Sequence, residues 1–411
     1  MARSKNKFIV LHLGSRIHYE LPASLSVEGK LKMLITDAWV RPGSIFALII
    51  HLLPFTAFKK LSQRYNKTLS TSNVISFNLS VLIFEFWNRI KGKKAWNLVL
   101  ARNTWFQKKC LEELQKIADE NITVIAFSYT ALEPFRYAKS RGWKTVLFQI
   151  DAGETDNKIV TEIYRNNSQY NSNFQNPPDI YWEKWKEELQ LSDVVIANSD
   201  FTASALMAAG LSKEKIKIVP LSVKISESHE NFTRIFPSRF DIARPLRLLF
   251  LGNLSLRKGL HVIFELIELV EGLPVEFYFV GSKEVELPVN FQTEKVKWVD
   301  SVSRIETYQF YQQSDVFIFP TFSDGFGLTQ LEAMSWRLPV IASENCAKVV
   351  EHGRNGFLLK DLTAAELQLY ILEILNAPGV LKFMSEEAFV TALQFNSSRF
   401  GREISDALEF E

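Results

Sequence analysis

Residues able to do chemistry concentrate in two short segments of the second half of the chain. Gly252-Asn-Leu-Ser-Leu-Arg-Lys-Gly259 sets the adjacent cations Arg257 and Lys258 between glycines, after an apolar run and before a segment of helical character. A strand-to-helix loop of this kind offers backbone amides and the positive end of a helix, and the two cations add charge, so it suits a phosphate. Phe319-Pro-Thr-Phe-Ser-Asp-Gly-Phe-Gly-Leu-Thr-Gln-Leu-Glu-Ala-Met334 repeats the arrangement with carboxylates in place of cations. Gly325 and Gly327 let the backbone approach a ligand, and the amides from Gly325 through Phe326 and Gly327 to Leu328 and Thr329 open a helix where an anion is favoured. Asp324 falls in the turn and Glu332 one to two helical turns later, so the two carboxylates can face one ligand from two sides. Glu332 sits among Leu331, Ala333 and Met334 and needs a partner if buried; a sugar diol, with two hydroxyl donors, is one. Taken singly, each residue has a plainer reading: a solvated loop charge for Arg257 or Lys258, a tight turn for the glycines, an N-cap for Asp324, an exposed helix position for Glu332.

These segments need a scaffold, and the rest of the chain supplies the pattern of one. Apolar runs at 8–13, 123–127, 145–149 and 194–197, then at 247–251, 276–280, 297–300, 316–319 and 339–342, read as buried strands. Segments with charged faces at 182–191, 261–271, 330–336 and 364–374 read as helices between them. This is the α/β alternation of parallel sheets covered on both faces. A length of 411 residues suits two domains, and the polar, proline-containing stretch 225–245 reads as their connection. The expected division is a first Rossmann-like domain at 1–240, a second at 241–385, and a terminal segment at 386–411.

Composition narrows the class. The chain is 47% hydrophobic and 23% charged, and no apolar run is long enough to span a bilayer. Its two cysteines, Cys110 and Cys346, have no metal or redox spacing, and residues 8–14 read as a strand and turn rather than a signal, so a cytoplasmic chain is expected. The net charge of +2 hides a split: residues 1–240 carry +11 and the remainder −9. Residues 1–110 alone hold 18 Lys and Arg against 4 Asp and Glu. Within them, the apolar stretch 44–58 precedes Lys59, Lys60, Arg64 and Lys67, and the stretch 81–87 precedes Arg89, Lys91, Lys93 and Lys94. Apolar segments ending in cations suit an anionic leaflet, and equally suit core helices with solvated ends.

Taken together, the motifs resemble those of retaining family-4 glycosyltransferases, of the group 1, GT-B type. Asp324-x7-Glu332 is similar to the E-x7-E region, and Gly252–Gly259 to the G-x-x-x-x-R-K-G loop. Leu338-Pro-Val-Ile-Ala342 and Val350-Glu-His-Gly-Arg-Asn-Gly-Phe-Leu358 resemble the strand and the G-x-N-G-x-L turn that follow, in the same order. Residues 187–199 and 209–220 resemble more loosely the elements that close the acceptor domain. The resemblance implies a GT-B fold, two Rossmann-like domains facing across a cleft, with residues after about 385 crossing back to the first. It implies that Arg257 and Lys258 neutralise a donor diphosphate, that Gly252 belongs to the same donor-binding site, and that Glu332 holds the ribose. It further implies that Asp324 and the amides of Gly325, Phe326 and Gly327 address the transferred sugar.

The expected reaction moves a hexosyl-type sugar from a UDP- or GDP-linked donor to a glycan or lipid-linked hydroxyl acceptor, with retention and without a metal or other cofactor. An anionic membrane surface is an expected partner and nucleic acid is not. Three departures stand out: Asp324 replaces the usual Glu, Asn253 replaces a frequent Arg, and Phe148-Gln-Ile-Asp-Ala-Gly-Glu154 lacks the histidine that many members carry. That leaves Gln149 and Asp151, with Gly14 and His18 after the first strand, as candidate acceptor or loop contacts. Open alternatives are a nucleotide-sugar epimerase or phosphorylase on the same fold, and a non-catalytic nucleotide-binding partner subunit.

Overall fold

The computed structural model describes residues 7–52, 64–170, 174–286, 294–303 and 306–409. The end of the first apolar stretch, with Lys59 and Lys60, lies outside them. Seven strands form the first sheet: β1 (Lys7–His12), β2 (Leu31–Thr36), β3 (Val74–Ser76), β4 (Ile122–Phe127), β5 (Lys144–Gln149), β6 (Val194–Ala197) and β7 (Ile216–Ile218). Six form the second: β8 (Leu246–Leu251), β9 (Val275–Val280), β10 (Val296–Val299), β11 (Val316–Phe319), β12 (Val340–Ser343) and β13 (Gly356–Leu359). The orders are β3-β2-β1-β4-β5-β6-β7 and β10-β9-β8-β11-β12-β13, and neighbouring strands pair in parallel. Helices cover both faces, which is why β4, β6, β11 and β12 are buried along their whole length and read as unbroken apolar runs.

Each order reverses once, between β1 and β4 in the first sheet and between β8 and β11 in the second. At such a reversal the loops leaving the two central strands diverge to opposite faces, and a crevice opens at the carboxyl ends of the strands. Both ligand-type segments found in the sequence follow those strands: Gly252–Gly259 leaves β8, and 320–327 leaves β11 into the helix Leu328–Ser335.

The two units share one core. A continuous cluster runs from Ile125, Phe127 and Phe148 of the first sheet to Phe317, Phe319 and Phe326 of the second, and on to Ala388 and Phe400 near the C-terminus. Residue 385 lies inside the helix Val380–Gln394, which packs on Leu328–Ser335; the following helix, Ser397–Leu408, packs on Glu20–Val27 of the first unit. Arg399 donates to the carbonyls of Pro220 and Leu221 at 2.8 and 3.0 Å, and Lys30 donates to Ser405 at 3.0 Å.

The polar connection at 225–245 is anchored rather than loose. Arg234 points inward and donates to the carbonyls of Arg337 (3.0 Å), Gln312 (3.3 Å), Tyr311 (2.7 Å), Trp336 (2.8 Å) and Ser314. Burial pushes its pKa down to about 10, but it remains a cation, held by those carbonyl dipoles. Arg244 grips the buried Asp315 with two bonds of 2.7 and 2.6 Å. Replacing Arg234 with Met leaves those carbonyls without their donor. The substitution is expected to lower unfolding free energy by about 3 kcal/mol. Urea denaturation followed by circular dichroism measures it, and a loss under about 0.5 kcal/mol would show that the connector is held by other contacts.

Candidate functional site

At the β8–β11 reversal the glycines have steric reasons. Gly259 has φ +79°, and a Cβ there would meet the Pro320 carbonyl oxygen at 2.0 Å; Gly327, with φ +76°, would put one 2.6 Å from the Phe319 ring. The two loops therefore lie backbone to backbone. Across that contact Arg257 donates to the Ser323 carbonyl at 2.9 Å, and the Lys258 ammonium pairs with the Asp324 carboxylate while lying 4.9 Å from the Phe319 ring centre. Burial and then the neighbouring Arg257 charge push the Lys258 pKa well below its ordinary value, against the opposing influence of Cys346, Asp156 and Glu284. The two motifs thus converge, and their charges are engaged with each other. Asn253, where the resembled family often has Arg, donates to Glu284 and accepts from Ser282 at 2.9 Å, tying the loop after β8 to the loop after β9. Gly252 has φ +144°, and its carbonyl is where a Cβ on Gly281 would fall, so this second junction is equally tight.

The Asp324 turn also reaches the first unit. A Cβ on Gly325 would stand 2.2 Å from the Ile150 carbonyl oxygen, and the Gly325 carbonyl accepts from the hydroxyls of Ser199 and of Thr202 (3.3 Å). The Phe326 ring is 2% exposed and faces Phe395, while its amide donates to Asp324 at 3.2 Å. The Phe326 side chain therefore anchors the turn. Thr329 is half-buried in the first turn of the following helix.

Glu332 occupies a different wall. With Leu328 and His18 it lines a cleft of about 830 Å³ between the units, whose other walls include Tyr65, Tyr308 and Arg402. Leu331, Ala333 and Met334 are buried, as the sequence suggests, while Glu332 is half-buried and accepts from Tyr311 Oη at 3.2 Å. Arg257, Lys258, Asp324 and Gly252 are not on the cleft wall; Leu328, at the start of the helix, joins the two areas.

The first sheet brings its own reversal to the same interface. After β1, Ile17, His18 and Tyr19 lie consecutively in the left-handed region, at φ 43°, 49° and 62°. Each costs about 1–3 kcal/mol in a non-glycine residue. The Gly14 amide donates to Asp37 at 3.0 Å, and Asp37 is held by Arg64 at 2.5 Å, so the loop is pinned at its start. After β4, Tyr129 is also left-handed, at φ 74°, and its hydroxyl donates to Asp151 at 2.5 Å. The same Asp151 oxygen accepts from Gln149 Nε2 at 3.0 Å and the Gly153 amide at 2.9 Å; burial raises its pKa. Gln149 is fully buried and its Oε1 accepts from Trp185 at 3.0 Å. Its side chain holds the loop and does not face the cleft.

Several residues invisible to the sequence reading complete this edge. Glu188 accepts from the amides of Tyr129, Ala131 and Leu132 at 2.7, 2.8 and 3.1 Å, and burial still pushes its pKa up to about 7. Arg16 has one guanidinium nitrogen shut from solvent without a hydrogen-bond partner; burial lowers its pKa, and Asp151 is the largest opposing charge. Ser199, Thr202 and Asp156, 3.7 Å from Arg257, belong here too. Only the position of Arg16 in the Gly14-Ser-Arg loop was a sequence signal.

Known proteins share this architecture. Residues 245–377 match the family model described as Glycosyl transferases group 1. An uncharacterised 41.2 kDa protein of the cps region of Klebsiella pneumoniae is 25% identical over 190 residues, 43% of this chain and 53% of its own. The amylovoran biosynthesis glycosyltransferase AmsK of Erwinia amylovora is 24% identical over 221 residues, 50% of this chain and 53% of its own. The chain thus spans about half the length of the curated relatives it matches. The crystal structure of Anabaena HepE with UDP and glucose superposes with a TM-score of 0.59 at 16% identity, covering 98% of this chain and 99% of that one. The chain therefore has the GT-B fold, two facing parallel-sheet units, and its residues 245–377 are similar to the Glycosyl transferases group 1 family.

Proposed function

We propose that the protein is a retaining glycosyltransferase that moves a sugar from a nucleoside diphosphate, UDP- or GDP-linked, to a hydroxyl of a glycan or lipid-linked acceptor. The observation that carries this reading is the convergence of Arg257, Lys258 and the Asp324 turn at the strand-order reversal of the second sheet, with Glu332 on the adjoining cleft. Support comes from the group 1 domain match, from relatives named for amylovoran and for capsular polysaccharide biosynthesis, and from a structural neighbour solved with UDP and glucose.

The chemistry follows from the charges. The bond between the anomeric carbon and the diphosphate oxygen breaks, leaving charge on the phosphate; the acceptor oxygen bonds to the same carbon, and its proton passes to the leaving phosphate. Fixed positive charge at Arg257 and Lys258 stabilises that departing oxygen. Lys258 is paired with Asp324. An arriving diphosphate competes for the ammonium and frees the carboxylate to accept from a sugar hydroxyl, so the ion pair acts as a placeholder for the donor. Glu332 accepts from the ribose diol, a charge-assisted pair in a partly buried setting.

Two measurements test this assignment. Incubation with a panel of nucleotide sugars, following nucleoside diphosphate release and the anomeric configuration of the product by NMR, identifies donor and stereochemistry; inversion would remove the retaining assignment. Calorimetry with the released nucleoside diphosphate tests the residues. Lys258→Met is expected to weaken binding about tenfold to a hundredfold, and Glu332→Ala by about the same, provided the 2′,3′-diol is present. Asp324→Asn should bind the bare diphosphate about three- to tenfold more tightly, because the competing carboxylate is gone, while turnover of the donor falls. Unchanged affinity in Lys258→Met would falsify the diphosphate site.

A further inference from the structure

The helix Asn78–Ile90 is apolar on both of its sides. Its inner side packs in the fold: Val81 is buried in a small cluster with Ala38, Val40 and Ile50, Phe84 lies 5.1 Å from the Trp105 ring, and Asn88 is buried. Its outer side carries Leu79, Ile83, Phe86, Trp87 and Ile90, exposed by 71, 49, 61, 53 and 60%. At helical spacing these five fall within an arc of about 100°. A solvent-facing helix side ordinarily carries polar residues, and an apolar stripe with two aromatic rings marks a surface that something covers. The neighbouring helix Ile45–Leu52 rests on the same cluster and exposes Ile45 and Leu48 by 79 and 62%.

Charge identifies the occupant. The stripe runs straight into Lys91, Lys93 and Lys94, all exposed, and Arg41 stands exposed ahead of the neighbouring helix. Across residues 1–110 there are 18 Lys and Arg against 4 Asp and Glu. So one-signed a surface repels a second copy of itself and attracts an anionic one. Among the described residues no helix is long and apolar enough to cross a membrane. We propose that the outer face of Asn78–Ile90, with the Lys91–Lys94 turn, docks on an anionic lipid bilayer, the aromatic and aliphatic side chains entering the interface and the lysines meeting the headgroups. Asn78 is bonded both ways to Trp39, just beyond β2, with its side chain accepting at 2.8 Å and donating at 2.9 Å. The helix therefore starts at the carboxyl edge of the first sheet, and docking holds that edge, with the cleft it faces, close to the lipid surface.

The earlier expectation for residues 44–58 is modified accordingly: Phe46 and Ile50 pack into the supporting cluster, and the exposed apolar face belongs mainly to the second stretch. Flotation with vesicles of phosphatidylcholine alone, or mixed with phosphatidylglycerol, tests the proposal on the full chain. Wild type should float with the anionic vesicles and not with the neutral ones, and less so at high salt. Lys91→Ser, Lys93→Ser and Lys94→Ser combined should lower vesicle affinity about a hundredfold. Ile83→Ser, Phe86→Ser and Trp87→Ser combined should lower it at least about tenfold with an unchanged circular dichroism spectrum, since the three side chains are exposed. Equal recovery with both vesicles, no recovery with either, or undiminished binding of the apolar variant overturns the proposal. So does a wild-type dimer in sedimentation velocity that the apolar variant converts to monomer, which would make the face an interface between copies. If the triple variants fail to fold, the lipid and salt arms on wild type still decide.

Discussion

A parallel sheet places the loops leaving its strands on one edge, and in this protein two such edges are turned toward each other. The Asp324 turn is where the consequence is sharpest, because Gly325 enters the carboxyl edge of the first sheet so closely that no side chain fits beside the Ile150 carbonyl. Hydrogen bonds from Ser199 and Thr202 to the Gly325 carbonyl fix the contact from the other side. The connector and the terminal helices then serve one purpose, to hold that apposition. Arg234 ties the connector to the second unit through backbone carbonyls, and Arg399 ties the last helix to the first unit at Pro220 and Leu221.

Four of the six non-glycine residues with left-handed backbone among the described residues fit this arrangement, Ala95 and Arg337 being the other two. Ile17, His18, Tyr19 and Tyr129 adopt left-handed backbone conformations without being glycine, and all four follow the central strands of the first sheet. A β-branched residue such as Ile17 is especially ill-suited there. Such conformations persist only when surrounding bonds over-determine them, and the bonds are present: Asp37 and Arg64 behind the first loop, Glu188, Asp151 and Gln149 behind the second. The loops are thereby stiff before any ligand arrives, which reduces the ordering cost of binding.

Legibility in the sequence follows burial. Strands β1, β4, β5, β6, β8, β9, β11 and β12 carry apolar runs because they lie inside their sheets under helices, so their positions could be read within a residue or two; the edge strand β10, Val-Lys-Trp-Val, was legible from its apolar residues although only Val296 is buried. The edge strands β3, β7 and β13 have only three or four residues, and β2 opens on Leu-Lys-Met, so none carries a distinct run. The second-sheet motif residues were legible because each set lies within one loop and the helix after it. The supporting network was not, since Glu188 meets Tyr129 from 59 residues away and Ser199 meets Gly325 from 126. Gln149 shows the limit most clearly: its place after a buried strand suggested a substrate contact, whereas Trp185 and Asp151 consume its amide.

Charge at the two scales pulls in opposite directions. The second half carries a net −9, which by itself would repel an anionic donor, yet the residues suited to a diphosphate lie within it. Range resolves the conflict. Charges spread over the domain surface are screened beyond about 8 Å at physiological salt, whereas a largely buried ammonium acts at contact distance in a medium of lower dielectric. Lys258, 12% exposed and seated over the Phe319 ring, is such a charge, and on the proposed reading its attraction for a phosphate outweighs the diffuse field around it. An unpaired ammonium so placed would be costly to bury, and Asp324 offsets that cost. The same carboxylate adjoins the interface with the first unit through Gly325, so release of Lys258 to a ligand would alter the side chain next to the residue on which the apposition of the two sheets turns.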